Sequence, residues 1–151
     1  MNKRLLSLLI LVLAVMMPVN LWAQEPYTVL TTDITFDASA DKGTCDLNNP
    51  GADQVTKDGV TIAVSNGAMN LTEQYRCYKN ATFTVTSTVG KIQKVEISCT
   101  LEGESKYGPG CFTDATAGSY AFEGKVGTWT GDAESFSMTA STNQVRINTK
   151  L

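Results

Sequence analysis

The sequence contains no histidine. A Ser-His-Asp triad, a Cys-His pair and most zinc hydrolase sites need an imidazole, so these routes of catalysis are excluded. Phosphate-binding glycine patterns are also missing, because the GPG at 108–110 lacks the lysine and the helix that a nucleotide loop requires. The fifteen acidic residues show no pattern that singles out a glycosidase pair. We therefore expect a protein that is not an enzyme.

Long hydrophobic runs are scarce, and the single clear one lies at residues 5–17. It follows Lys3 and Arg4 and is followed by a small residue before a plausible cleavage point. This three-part pattern predicts a secretory signal peptide over 1–23, since the run is too short to cross a bilayer comfortably. After its removal no membrane span is expected. The sequence thus predicts a secreted protein, periplasmic or extracellular, consisting of residues 24–151.

Basic residues are also in short supply. Without Lys3 and Arg4 the chain carries ten basic and fifteen acidic side chains, a net charge of −5 against −3 for the whole sequence. The basic residues are scattered along the chain, whereas nucleic acids and anionic membranes select for clustered lysine and arginine. Neither is expected as a partner. The length of 24–151 suits one domain with a real core.

Apolar residues alternate with polar ones through much of the chain. The clearest sets are Val60, Ile62 and Val64, then Tyr75 and Cys77, then Phe83 and Val85, then Val95, Ile97 and Cys99. Such alternation is typical of half-buried strands. More strands are predicted around 118–122, 125–130, 135–139 and 144–148, with one or two short ones over 28–36. The total is eight or nine strands, which predicts an all-β, antiparallel β-sandwich with a jelly-roll-like arrangement.

Two segments are predicted as loops. Residues 37–58 are rich in Asp, Asn and Gly and read as a long loop leading into the first core strand. Residues 101–112 contain three glycines and a proline, which indicates an ordered loop rather than a strand.

Several strings carry a family resemblance. DGVTIAVSNGA, QYRCYKNAT, STVGKIQKVEISCT and KYGPGCF together resemble a small β-sandwich module that recurs in secreted proteins of the Bacteroidota. The resemblance covers nearly all of the mature chain, from about Ile34 to Ile147. It implies adhesion or glycan-related binding rather than catalysis, and it assigns no functional residues. Cys77 departs from it, since an aliphatic residue is expected there.

The four cysteines are Cys45, Cys77, Cys99 and Cys111. An even number in a small secreted β-domain favours disulfides. Three pairings are possible; we favour Cys99 with Cys111, which would close the YGPG loop, and Cys45 with Cys77. The alternative is that the two strand cysteines are simply small buried apolar residues. No pair has the close spacing of a zinc knuckle.

Aromatic residues provide the candidate binding site. Tyr78, Tyr107 and Trp129 are positioned to stack on sugar rings if they are exposed, and alternation places Tyr78 beside Arg76 on the outer face of its strand. The alternative is that Trp129 fills the core and that Tyr107 braces its own loop.

Acidic residues provide a weaker candidate for a calcium site. Asp37, Asp41, Asp46 and Asp53 crowd into the first loop and supply the oxygen ligands that calcium prefers. The spacing from Asp46 does not complete a helix-loop-helix calcium loop, because Lys57 occupies the final ligand position. The alternative is a solvated, turn-forming loop. No other cofactor is expected.

These observations predict a secreted, non-catalytic binding module. The first hypothesis is carbohydrate binding, with a glycan as the partner. The second is a structural or adhesive module that contacts a cell-surface protein through strand edges, with the last strand as the expected contact. A third, a small protease inhibitor, rests only on size, disulfides and loops.

Overall fold

The structure is a computed structural model that describes residues 32–148. The predicted signal peptide and part of the segment 28–36 lie outside the described residues. Within 32–148, no helix has the length and apolar character needed to cross a lipid bilayer.

The described chain folds into two antiparallel sheets. Its strands are β1 (Gly51–Lys57), β2 (Val60–Ala68), β3 (Gln74–Cys77), β4 (Thr82–Ser87), β5 (Ile92–Ser98), β6 (Phe112–Thr113), β7 (Gly118–Glu123), β8 (Val126–Ala133), β9 (Ser135–Ala140) and β10 (Val145–Asn148). The larger sheet has the order β10-β3-β2-β4-β9-β6, with β1 also paired to β2, and the smaller sheet has the order β5-β8-β7. The predicted all-β antiparallel sandwich is confirmed. Ten strands are described rather than eight or nine, divided seven and three between the sheets.

In the larger sheet two pairs of short strands lie end to end, so that each pair takes the place of one long strand. The pairs are β3 with β4 and β10 with β9. β3 and β4 both pair with β2, through Gly67 opposite Cys77 and Val64 opposite Phe83. β9 and β10 then follow along β4 and β3, and the register brings Val145 opposite Cys77. As a result the segment between β9 and β10 lies beside the turn between β3 and β4. The candidate site described below is built at this place.

The core lies between the two sheets and is made of the alternating apolar residues that the sequence predicts. In β3 the buried side chains are Tyr75 and Cys77, and in β9 they are Phe136 and Met138. Trp129 of β8, in the smaller sheet, joins this core. Burying a side chain of this size contributes about 1.5–3 kcal/mol.

The first predicted loop needs a correction. The segment 37–58 contains a strand, β1, which pairs with β2 along almost its whole length. Val55 is its single fully buried residue, so the sequence lacks the alternation that identifies a half-buried strand. The described part of the segment 28–36 is not a strand.

The prediction of an ordered loop over 101–112 is confirmed, and backbone hydrogen bonds hold this loop together. Gly110 N donates to Gly103 O at 2.8 Å, and Gly108 N donates to Ser105 O at 2.7 Å. A Cβ atom at Gly108 would lie 2.4 Å from the carbonyl oxygen of Gly103, so this position requires glycine. A short 3-10 turn at Pro109–Cys111 leads from the loop into β6.

The predicted disulfides are wrong for this structure, in which all four cysteines are free thiols. The Cys45 thiol donates to Ala52 O at 3.6 Å, beside Gly51 of β1, whereas Cys77 lies on β3. Gly67 of β2 pairs with Gly51 of β1 on one side and with Cys77 of β3 on the other. Gly51 and Cys77 are therefore about two strand spacings apart, and each spacing is about 4.7–4.9 Å.

Cys99 and Cys111 are close enough to interact electrostatically. The Cys111 thiol nevertheless donates to the carbonyl oxygen of Ser105 at 3.3 Å. Burial raises the pKa of Cys77 and of Cys99 to about 12, which keeps both as neutral thiols. The alternative interpretation, that the two strand cysteines are small buried apolar residues, agrees with their surroundings.

Candidate functional site

Two arginines lie side by side on the outer face of the larger sheet. Arg76 of β3 is directly opposite Arg146 of β10 in the strand register. Their neighbours along each strand, such as Cys77 and Val145, are buried in the core, so alternation turns both arginines outward. Facing residues on antiparallel strands have Cβ atoms about 4.5–5.5 Å apart, and like charges at this distance repel.

Tyr107 lies over one of these arginines. The guanidinium carbon of Arg146 is 3.5 Å from the centre of the Tyr107 ring, and the ammonium nitrogen of Lys106 is 4.9 Å from it. The backbone of the loop fixes this position, because Tyr107 N donates to Gln144 O at 2.9 Å and Arg146 N donates to Tyr107 O at 3.4 Å. The ring is therefore placed by backbone contacts with the segment that begins β10.

The backbone of Tyr107 is strained at this point. Its φ angle is +81°, a left-handed conformation that bulky residues rarely adopt. Such a conformation costs about 1–3 kcal/mol and persists where surrounding contacts hold it. Here the backbone hydrogen bonds to Gln144 and Arg146, together with the contact with the Arg146 side chain, hold the ring in place.

Three buried hydrogen-bond donors near this ring have no partner among residues 32–148. They are the Nε atoms of Arg76 and Arg146 and the Nε2 atom of Gln144. Gln144 is two residues from Arg146, so alternation places it on the same face. We call Arg76, Tyr107, Gln144 and Arg146 the arginine–tyrosine cluster. Unsatisfied buried donors are rare in folded proteins, and each of them calls for an explanation.

The positive charges of this region also act on the tyrosine. A hydrogen bond from Lys106, together with the charges of Arg146 and Arg76, lowers the pKa of Tyr107 below its ordinary value. The cluster is thus electropositive, although the whole chain carries a net charge of −3. Its free groups are N–H donors, which suit an acceptor oxygen on a ligand.

The structure brings together two of the four predicted binding residues, Arg76 and Tyr107. Tyr78 directly follows Cys77 in the chain, and Gln144 directly precedes Val145, so the register places Tyr78 at the Gln144 end of the cluster. Tyr78 is half-buried rather than fully exposed as predicted.

Trp129 was predicted as a binding residue, and this prediction is wrong. Its side chain is 0% exposed and stacks on Phe136 inside the core. Its indole nitrogen donates to Thr116 O at 3.2 Å, so its one polar atom is already used. The alternative interpretation, that Trp129 fills the core, is correct.

The four acidic candidates for a calcium site do not converge. Among the described residues, no three or more Asp, Glu, His or Cys side chains are grouped closely enough to hold a metal ion. Instead the carboxylates bind nearby backbone N–H groups. Asp46 accepts from Asn48 N and Asn49 N, and Asp37 accepts from Ser39 N.

The other two acidic candidates fasten the first loop to β1. Desolvation raises the pKa of Asp53, but hydrogen bonds from Thr44, Cys45 and Gln54 outweigh it and leave this pKa lowered. Asp41 accepts from Asp37 N at 2.8 Å and from the Lys57 ammonium at 2.9 Å. Both contacts lower its pKa. This geometry agrees with the alternative of a turn-forming acidic loop.

The residues that the sequence analysis missed are Arg146 and Gln144. The available signal was the alternation of QVRIN, in which an outward arginine follows a buried valine. This pattern places Arg146 on the surface. It does not indicate that Arg76, seventy positions earlier, is the facing residue.

The fold and the cluster together define an all-β sandwich with an electropositive outer face on one sheet. Comparison with protein-family models, with curated proteins and with solved structures finds no match to this chain. The resemblance to a Bacteroidota module stays a prediction.

Proposed function

We propose that this protein is a secreted, non-catalytic binding module whose ligand is a carbohydrate. The observation that carries the proposal is the arginine–tyrosine cluster, in which a strained tyrosine is held over one of two facing arginines. Sugars present many acceptor oxygens and apolar ring faces, which match N–H donors beside an aromatic side chain. Arg76 and Arg146 are half-buried, and neither forms an ion pair within residues 32–148.

The proposed contact differs from a flat aromatic platform. Arg146 covers one face of the Tyr107 ring, and Trp129 is in the core. Recognition therefore rests on hydrogen bonds from the exposed parts of the two half-buried arginines, with Tyr107 fixing the position of Arg146. Tyr78, at the end of the cluster, is the remaining aromatic residue for contact with a second sugar.

A glycan-array screen of the purified protein, with and without calcium, tests this proposal. We expect selective binding that does not depend on calcium, since the acidic residues bind backbone N–H groups. The Tyr107→Asn variant should lose at least tenfold in affinity, because asparagine tolerates the left-handed backbone but removes the ring. Leu47→Asn is the control, since Leu47 is an exposed apolar residue of the first loop.

Absence of binding to any glycan by a folded sample would overturn the proposal. The adhesive alternative then gains weight, and one observation already favours it. Among the strands of residues 32–148, β7 pairs only with β8, and its residues are exposed except for the half-buried Tyr120. Such an edge is able to pair with a strand of another protein.

The strand edge of this alternative differs from the predicted one. β10 pairs with β3 on one side, and on the other it forms isolated bridges to Cys99 and Tyr107. It is therefore not an open edge. Two results together would argue against the adhesive function. The protein would sediment strictly as a monomer, and it would capture no protein from cell-surface extracts.

A further inference from the structure

Within the described part of the chain, no carboxylate forms an ion pair with the arginines of the arginine–tyrosine cluster. The ion pairs among residues 32–148 are Lys57–Asp41, Lys91–Asp132 and Lys94–Glu96. None of them involves an arginine. Arg76 and Arg146 therefore face each other without a carboxylate between them, although the chain has more acidic than basic residues.

The unpartnered donors have the chemistry of an incomplete binding site. Leaving a buried donor without a hydrogen bond is unfavourable, and more so when the donor belongs to a charged group. Three such donors occur at neighbouring positions of one sheet face, where two also belong to like charges. A single oxyanion bound at the exposed parts of the two half-buried arginines would accept hydrogen bonds from their terminal N–H groups and reduce the repulsion between them.

The geometry favours a planar or tetrahedral oxyanion over a neutral group. A guanidinium presents its N–H donors as a fixed fork that matches carboxylates and sulfates. The guanidinium carbon of Arg146 lies over the Tyr107 ring, 3.5 Å from its centre, so the ring helps to fix the position of this guanidinium. A sugar hydroxyl would satisfy a donor but would leave both charges unbalanced.

We propose that the arginine–tyrosine cluster is an anion subsite that binds the carboxylate or sulfate group of an acidic glycan. This inference rests on the proposed carbohydrate-binding function and narrows its ligand. Nucleic acid is disfavoured, because its affinity depends on many lysine or arginine contacts to phosphates. The cluster offers two arginines, with Lys106 beside them, in a chain of net negative charge.

Paired polymers that differ only in charge provide the test. Polygalacturonate is compared with its methyl ester, and dextran sulfate with dextran, by titration calorimetry on the purified protein. The expected result is at least tenfold tighter binding of the acidic member of at least one pair. The pair that shows this difference indicates whether the bound oxyanion is a carboxylate or a sulfate.

Variants link that preference to the cluster. Arg76→Gln and Arg146→Gln should each weaken binding of the acidic polymer at least tenfold. Lys42→Gln removes the same charge from an exposed position of the first loop and should change the affinity less than twofold. Thermal unfolding should show that both arginine variants are folded, since each removes a like-charge contact.

The outcomes separate this inference from the proposed function. Equal binding of the acidic and neutral members overturns the anion subsite and leaves the carbohydrate-binding proposal standing. No binding of either member by a folded protein, together with an empty glycan array, overturns both. Equally tight binding of single-stranded DNA would also overturn an acidic-glycan subsite.

Discussion

Trp129 stacks face to face on Phe136, with the ring centres 4.0 Å apart and the ring planes 5° apart. Trp129 belongs to the smaller sheet and Phe136 to the larger one, so this contact joins the two layers of the sandwich. Both side chains are buried. Aromatic pairs of this kind contribute about 0.5–1.5 kcal/mol beyond the burial of their area.

The first prediction concerns this contact. Phe136→Ala should lower the free energy of unfolding by about 3–5 kcal/mol, because it removes a buried ring and leaves a cavity beside Trp129. Urea denaturation measures the loss. Phe122→Ala makes the same change at a side chain that is 42% exposed and should cost about 1 kcal/mol or less. Equal losses would contradict the central position of the stacked pair.

The second prediction concerns the fastening of the first loop. Asp53→Ala removes the acceptor for Thr44 N and Cys45 N and should destabilise the protein by about 1–3 kcal/mol. Asp132→Ala is the control, because the exposed Asp132 pairs with Lys91 at the surface. Such surface pairs contribute about 0–1 kcal/mol. A loss at Asp53 no larger than at Asp132 would contradict this role.

The third prediction concerns acid. Asp41 and Asp53 have a lower pKa in the folded state than in the unfolded state. Their contribution to stability is therefore present above the unfolded pKa of about 3.9 and is lost as the pH falls through the folded values. Urea midpoints should decline below about pH 4. The Asp41→Asn, Asp53→Asn double variant should decline less steeply, and an unchanged slope would refute the assignment.

Much of this architecture can be predicted from the sequence, because the alternation of apolar and polar residues in a strand is a local pattern. The strands whose apolar residues alternate, such as β2 and β4, are found where the sequence predicts them. The sequence does not predict β1, because this edge strand has one buried residue and so shows no alternation of apolar and polar residues. The sequence does not show whether Trp129 is buried or exposed, because a tryptophan between polar residues is compatible with both.

The candidate site is only half predictable, because it depends on strand pairing across long stretches of sequence. Alternation places Arg76 on an outer face, and the glycines around Tyr107 indicate a loop. The pairing of β3 with β10 brings Arg146 to Arg76, and the parallel bridge from Val145 to Tyr107 adds the ring. Neither of these two contacts can be predicted from the pattern of residues near it in the sequence.

The fourth prediction concerns the thiols. All four cysteines are free, and Cys45 is the one that is partly exposed. Burial raises the pKa of Cys77 and Cys99 to about 12, and the thiolate is the reactive form. At pH 8 a thiol reagent should therefore modify Cys45 first, and the Cys45→Ser variant should lose this fast phase.

The same reagent also tests the disulfide state directly. Under denaturing, non-reducing conditions it should find four thiols in the purified protein. Two thiols would indicate one disulfide, and none would indicate two. Either result would contradict the free cysteines of the structure.

The fifth prediction separates stability from binding at Tyr107. Tyrosine at φ +81° is strained by about 1–3 kcal/mol, whereas glycine adopts this conformation freely. Tyr107→Gly relieves the strain but loses the contact with Arg146, which contributes about 0.5–1 kcal/mol at an exposed site. The free energy of unfolding should therefore stay the same or rise, even though a large side chain is removed.

Tyr78→Gly is the matched control, because Tyr78 is a half-buried tyrosine whose φ is not positive. It gains no relief of strain, and glycine has more conformational freedom to lose on folding, so this variant should be less stable. If Tyr107→Gly is destabilised as much as Tyr78→Gly, the tyrosine serves only to pack its loop. If it keeps its stability but loses glycan binding, the strained backbone is maintained for the ligand, since it has no benefit for the fold.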